Sequence, residues 1–140
     1  MKIYFAASIR GGRDNRSTYA DIILMLREYG EVLTEHIGSS HLSISGEEEF
    51  SDKEIHDRDI AWLKEADVLV AEVTVPSLGV GYEIGKASEW KMPVLCLYRP
   101  GEGRRLSGMV AGCDDIKICE YQTIRELKKT FDEFFGVFRG

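Results

Sequence analysis

A chain of 140 residues with a net charge of -6 fits one domain, 1–140, with a real hydrophobic core. Its acidic balance argues against a partner that is a nucleic acid polymer, although a local basic cluster can still hold one phosphate. No apolar run approaches the ~20 residues of a membrane span, so no membrane partner is expected. Cys96, Cys113 and Cys119 are odd in number and lack zinc spacing, and three scattered histidines form no ligand set. Neither a disulfide framework nor a metal is expected. The first residues run directly into a strand pattern without a signal-peptide core, so a cytoplasmic protein is expected.

In chain order, Ile3-Tyr4-Phe5-Ala6-Ala7 reads as a short apolar strand. The loop after it, Ser8-Ile9-Arg10-Gly11-Gly12-Arg13, carries a hydroxyl, two arginines and paired glycines. Tyr19, Ile22, Ile23, Leu26 and Tyr29 recur at helical spacing up to Gly30. Val32-Leu33-Thr34 is a second, shorter strand. Residues 38–51 are rich in Ser, Gly and Glu without periodicity and form a loop longer than a tight connection needs, as loops that cover sites often are.

The next helix runs from about Asp52 to Ala66, with Ile55, Trp62, Leu63 and Ala66 as its apolar stripe. Asp59 interrupts that stripe. A carboxylate facing a core is costly unless paired, bonded or protonated, which makes Asp59 a candidate for a raised pKa; the plainer alternative is an acid that reaches water. His56, on the same side, fits a structural hydrogen-bonding role.

Val68-Leu69-Val70-Ala71 reads as a strand buried on both faces, ended by Pro76, which has no N–H for a ladder bond. Ser77 stands where the following helix needs a cap, and Gly79 and Gly81 let backbone approach a ligand. Glu83 is expected in or near the first turn, where the helix dipole favours a carboxylate. Most first-turn acids are simply solvated; the alternative is a nucleophile at the carboxyl edge of a sheet, where ligands bind in open α/β folds. Val94-Leu95-Cys96-Leu97-Tyr98 is another buried strand, with Cys96 as a small apolar filler. A polar loop from Arg99 to Met109 precedes an edge strand, Ile116 to Tyr121. Ile124, Leu127, Phe131, Phe134 and Phe135 mark a last helix.

Five strands alternating with helices imply an α/β flavodoxin-like three-layer sandwich with a parallel sheet in order 2-1-3-4-5. Strands one and three are then neighbours. Their terminal loops place Ser8 and Arg10 opposite Ser77, Gly79 and Glu83, a set suited to a small phosphorylated ligand. The dinucleotide and phosphate-loop fingerprints are missing, which disfavours NAD and ATP, and no cofactor is expected. Two acids in one crevice, Glu83 and Asp59, suit glycosidic cleavage.

The runs Tyr4 to Arg13, Leu33-Thr34-Glu35-His36, His56-Asp57-Arg58-Asp59 and Ala71 to Glu83 together resemble the 2'-deoxynucleoside 5'-phosphate N-hydrolases (the Rcl proteins), within the nucleoside 2-deoxyribosyltransferase superfamily. The resemblance covers nearly the whole chain. It implies a homodimer that hydrolyses the N-glycosidic bond of deoxynucleoside monophosphates, with Glu83 as nucleophile, Asp59 assisting the departing base and Tyr4 beside nucleophile and sugar. It implies substrate contacts from Ser8, Ile9, Arg10, Gly12, His36, Ser77 and Gly79, with Ser107 and Met109 contributed by the neighbouring subunit. Relatives act on purine deoxynucleotides and others on cytidine-type ribonucleotides, so the base stays open. A deoxyribosyltransferase would use the same nucleophile and bind an unphosphorylated 5'-hydroxyl, whereas the serines and arginine favour monophosphates. A non-catalytic nucleotide-sensing module has no use for both acids.

Overall fold

The computed structural model describes residues 1–9, 13–34 and 50–138, and of residues 13, 14 and 16 the backbone alone. β1 (Lys2–Ala7) leads to α1 (Arg13–Leu26), β2 (Glu31–Val32), α2 (Asp52–Glu65), β3 (Val68–Glu72), α3 (Leu78–Glu89) and β4 (Val94–Tyr98). A short α4 (Gly108–Ala111), β5 (Ile116–Glu120), a 3-10 turn (Ile124–Glu126) and α5 (Leu127–Gly136) complete the order. The strands form one parallel sheet in the order β2-β1-β3-β4-β5, as expected from the sequence.

Side chains alternate across the sheet with period two and build a core on each face. On one face Ile3, Phe5, Val68, Val70, Leu95 and Leu97 pack against Ile22 and Leu26 of α1 and Phe131 and Phe135 of α5. On the other, Tyr4, Ala6, Leu69, Ala71 and Cys96 meet Leu63 of α2 and Val80, Ile84 and Ala87 of α3. Central β3 is buried along its whole length, which explains its unbroken apolar run. Fully burying a side chain the size of Phe131 is worth about 1.5–3 kcal/mol.

Local chemistry sets the element ends, and it moves several of them from the expected positions. β2 stops at Val32 rather than Thr34 because the buried Thr34 hydroxyl donates to the Phe5 carbonyl and accepts its N–H at 3.1 Å, in place of a backbone pairing. β3 stops at Glu72, four residues before Pro76, since the Glu72 side chain itself accepts the Thr74 N–H at 2.7 Å. α1 ends at Leu26, and the chain turns through Gly30, where a Cβ would stand 2.3 Å from the Met1 carbonyl oxygen. α2 starts where expected, in a capping box: Ser51 Oγ accepts from Glu54 N at 3.1 Å and Glu54 Oε1 from Ser51 N at 3.3 Å. β5 ends at Glu120, one residue before Tyr121, and α4 emerges from the stretch read as loop.

Candidate active site

β1 and β3 are neighbours at the switch point of the sheet, and a crevice of about 670 Å³ opens above them toward α2 and α3. Tyr4, Ser8, Ile9, Asp59, Ser77, Gly79 and Glu83 all line it. Those seven predicted residues therefore come together. Arg10, Gly12 and His36 lie outside the described residues. Met109 belongs to α4 and Ser107 caps it, and neither lines this crevice: Ser107 Oγ accepts from Met109 N at 3.2 Å, and Met109 is 86% exposed.

The chemical centre is a hydrogen bond from the Tyr4 hydroxyl to Glu83 Oε2. Tyr4 projects from β1 onto the α2/α3 face and is buried. Glu83 lies in the second turn of α3, not the first, beyond most of the dipole's reach. Burial pushes its pKa up to about 7; the Tyr4 hydrogen bond pulls it down, and the charge of Asp59 raises it. The sequence-based expectation of a dipole-favoured carboxylate is thus corrected. Near neutral pH Glu83 is divided between acid and carboxylate. Burial, and next the negative charge of Glu83, push the Tyr4 phenol far up, so it remains a donor.

Asp59, on the apolar stripe of α2, has a partner of its own. Arg58 folds back on it, with Nε at 3.0 Å and Nη2 at 2.9 Å from Oδ1. The guanidinium also lies over the Trp62 ring at 4.9 Å and the Phe50 ring at 5.3 Å. An ion pair therefore meets the cost of an acid on the apolar stripe. Ile55, assigned to the core by spacing, is a wall of the crevice instead.

Ser77 caps α3, its Oγ accepting from Val80 N at 3.3 Å. The first N–H groups of a helix have no acceptor within it, so this end of α3 offers donors to an anion. Among the described residues, an added Cβ at Gly79 would meet only Ser77 Oγ, at 3.8 Å. His56 forms a bridge that spacing did not foretell: Nε2 stands 3.2 Å from the Tyr82 hydroxyl on α3 and Nδ1 3.0 Å from Asp57. Tyr82 itself was missed, because a half-exposed tyrosine beside Glu83 carries no sequence signal of its own.

The family model described as nucleoside 2-deoxyribosyltransferase matches residues 3–112. The chain belongs to that family. It is 48% identical over 139 residues to a protein of Tetraodon nigroviridis named 5-hydroxymethyl-dUMP N-hydrolase, covering 97% of this chain and 98% of that one. To the Homo sapiens protein of the same name it is 46% identical over 137 residues, 95% of this chain and 78% of the other. The solved structure of a CMP N-glycosidase from Clostridium botulinum superposes with a TM-score of 0.67 at 21% identity, covering 96% of this chain and 99% of that one. At that identity the likeness shows a shared fold.

Proposed function

We propose that the protein hydrolyses the N-glycosidic bond of a 2'-deoxynucleoside 5'-monophosphate, giving the free base and 2-deoxyribose 5-phosphate. The observation that carries this is the Tyr4–Glu83 pair in a crevice shared with Asp59. The two relatives are named for hydrolysis of 5-hydroxymethyl-dUMP, itself such a monophosphate, and that nucleotide is the first substrate to try.

The ionised form of Glu83 attacks C1' through its Oε1 while Tyr4 holds Oε2. The C1'–N bond breaks through an oxocarbenium-like transition state, and the base leaves with a proton supplied by Asp59 or by a water it orients. A second water then adds to C1', loses its proton to the same acid–base group, and frees Glu83. The missing 2'-hydroxyl makes the oxocarbenium ion easier to form. Ser8, Ser77 and the first N–H groups of α3 hold the 5'-phosphate, with Arg10 as the cation.

In this reading the enzyme is a homodimer in which Ser107 and Met109 complete the neighbouring crevice. Large apolar side chains stand uncovered on α3 and α4, with Leu78 97% and Met109 86% exposed, as an isologous interface requires. A transferase is the second reading, since the family name covers transfer of the deoxyribosyl group from the same ester to another base. One assay separates them: incubate the protein with each deoxy- and ribonucleoside monophosphate, with and without a second base, and resolve the products. Release of 2-deoxyribose 5-phosphate from deoxynucleoside monophosphates is the expected result. Efficient exchange onto the added base, or equal cleavage of unphosphorylated deoxynucleosides, would overturn it in favour of transfer.

A further inference from the structure

Glu72 is a buried acid that the proposed chemistry does not use. It is the last residue of β3 and 1% exposed. By the alternation that sends Val68 and Val70 to the α1/α5 face, it lies across the sheet from Tyr4 and Glu83. Its oxygens accept three hydrogen bonds: Thr74 N at 2.7 Å, Thr74 Oγ1 at 2.9 Å, and the hydroxyl of Tyr121.

The donors come from two residues, each just past the end of a different strand. Thr74 opens the β3–α3 connection, three residues before Ser77. Its hydroxyl also accepts the N–H of Arg99, the first residue past β4, at 3.0 Å. Tyr121 is the first residue past β5, and its ring lies 5.9 Å from the Arg99 guanidinium. Arg99 Nη2 in turn reaches Asn15 Oδ1, in the first turn of α1, at 3.4 Å. Tyr19 of α1 is close enough that its pKa is pushed up to about 12, by burial and then by the charge of Glu72. One carboxylate thus gathers the ends of β3, β4 and β5, and through Arg99 the start of α1.

We infer that Glu72 and Thr74 are positioning residues for the 5'-phosphate: from the far face of the sheet they fix the connection that delivers Ser77 and the N-terminus of α3. This rests on the phosphate site argued above. Its logic is that of a supporting layer. Ser77 can place its hydroxyl and the following N–H groups only if the five-residue connection before α3 has one conformation. Val73 N is still tied to Leu97 O at 2.9 Å, and from Thr74 onward the chain leaves the sheet with the Glu72 carboxylate as its acceptor. The network touches neither Tyr4 nor Glu83, so losing it moves phosphate recognition more than bond cleavage.

The test compares Thr74→Val, Thr74→Ser and Tyr121→Phe with Ser77→Ala, in the full-length protein and with 5-hydroxymethyl-dUMP as substrate. Folding is checked first by thermal melting, and Tyr121→Phe, which keeps its ring, stands in should Thr74→Val fail to fold. The expected result is a KM raised about tenfold in Thr74→Val and several-fold in Tyr121→Phe, with kcat within about twofold of wild type. The midpoint of the kcat/KM pH profile should stay where wild type has it, and Thr74→Ser should restore KM. A fall in kcat, a displaced pH midpoint, or no change in KM while Ser77→Ala raises it, would overturn the inference alone. An unchanged KM in Ser77→Ala would overturn the phosphate reading and this inference with it.

Discussion

Two glutamates flank the β3–α3 connection, each bonded by a tyrosine hydroxyl, and they are used in opposite ways. Glu83 faces the crevice, and among the described residues the one donor that reaches it is Tyr4. Glu72 faces the other core and takes three donors. A mostly buried carboxylate with a single donor is poorly compensated, and its pKa rises to about 7. With three donors the cost of burying the acid is met within the chain, and the group becomes part of the scaffold. The lesson is that the number of donors, not burial, separates the proposed nucleophile from the structural acid.

The sharpest way to break this comparison is to remove the proposed nucleophile. Glu83→Gln is expected to abolish hydrolysis, with turnover down at least about 10³-fold, because among the described residues no other carboxylate accepts the Tyr4 hydrogen bond. Near-normal release of base by that variant would end the covalent mechanism. Asp59→Asn should lose about 10²–10⁴-fold in kcat, the usual worth of an acid or base, and it should also loosen Arg58. A negligible loss would reduce Asp59 to a partner for Arg58.

Stability against pH tests the same contrast without substrate. The Glu83 pKa rises from 4.5 to about 7 on folding. Between those values the folded state holds a proton that the unfolded state has released. Glu83 therefore contributes stability that is full below about pH 4.5 and lost as pH rises through 7, on the order of 3 kcal/mol. Glu83→Gln should melt higher than wild type at pH 8 and lose that advantage near pH 5. A melting difference that did not change with pH would show that Glu83 is well compensated after all.

Much of this was legible in the sequence. Apolar runs and periodicity placed the five strands, because a sheet covered on both faces writes unbroken apolar runs at β3 and β4, and their alternation with helices gave the order. The pairing of Ser77 and Glu83 followed from strand, turn and cap. What the sequence did not show was the second-turn position of Glu83 and the residue that pairs with Asp59. Glu83 was read in or near the first turn, and the partner of Asp59 was not foreseen, since spacing shows which face a residue is on and not who bonds to it. Arg58, adjacent in sequence and able to fold back, neutralises the acid on the apolar stripe, and no periodic pattern records that. Glu72 was invisible for the same reason: its three donors come from residues 74 and 121, and only the fold brings Tyr121 to the end of β3.

Tyr4→Phe gives the smallest and most discriminating effect. The hydroxyl lowers the Glu83 pKa from what burial alone would set, so its loss should raise that pKa further above about 7. Below the new value Glu83 carries a proton and cannot attack. The rising limb of kcat/KM against pH should therefore move upward by roughly one unit, with activity at pH 7 down about fivefold and largely recovered near pH 9. Phe keeps the ring in the core, so folding should change little. Tyr121→Phe, the matching change on Glu72, should leave this limb in place, because its carboxylate is on the far face of the sheet. If Tyr4→Phe lowered activity equally at every pH, the hydroxyl would be acting on the sugar or the leaving base rather than by tuning Glu83.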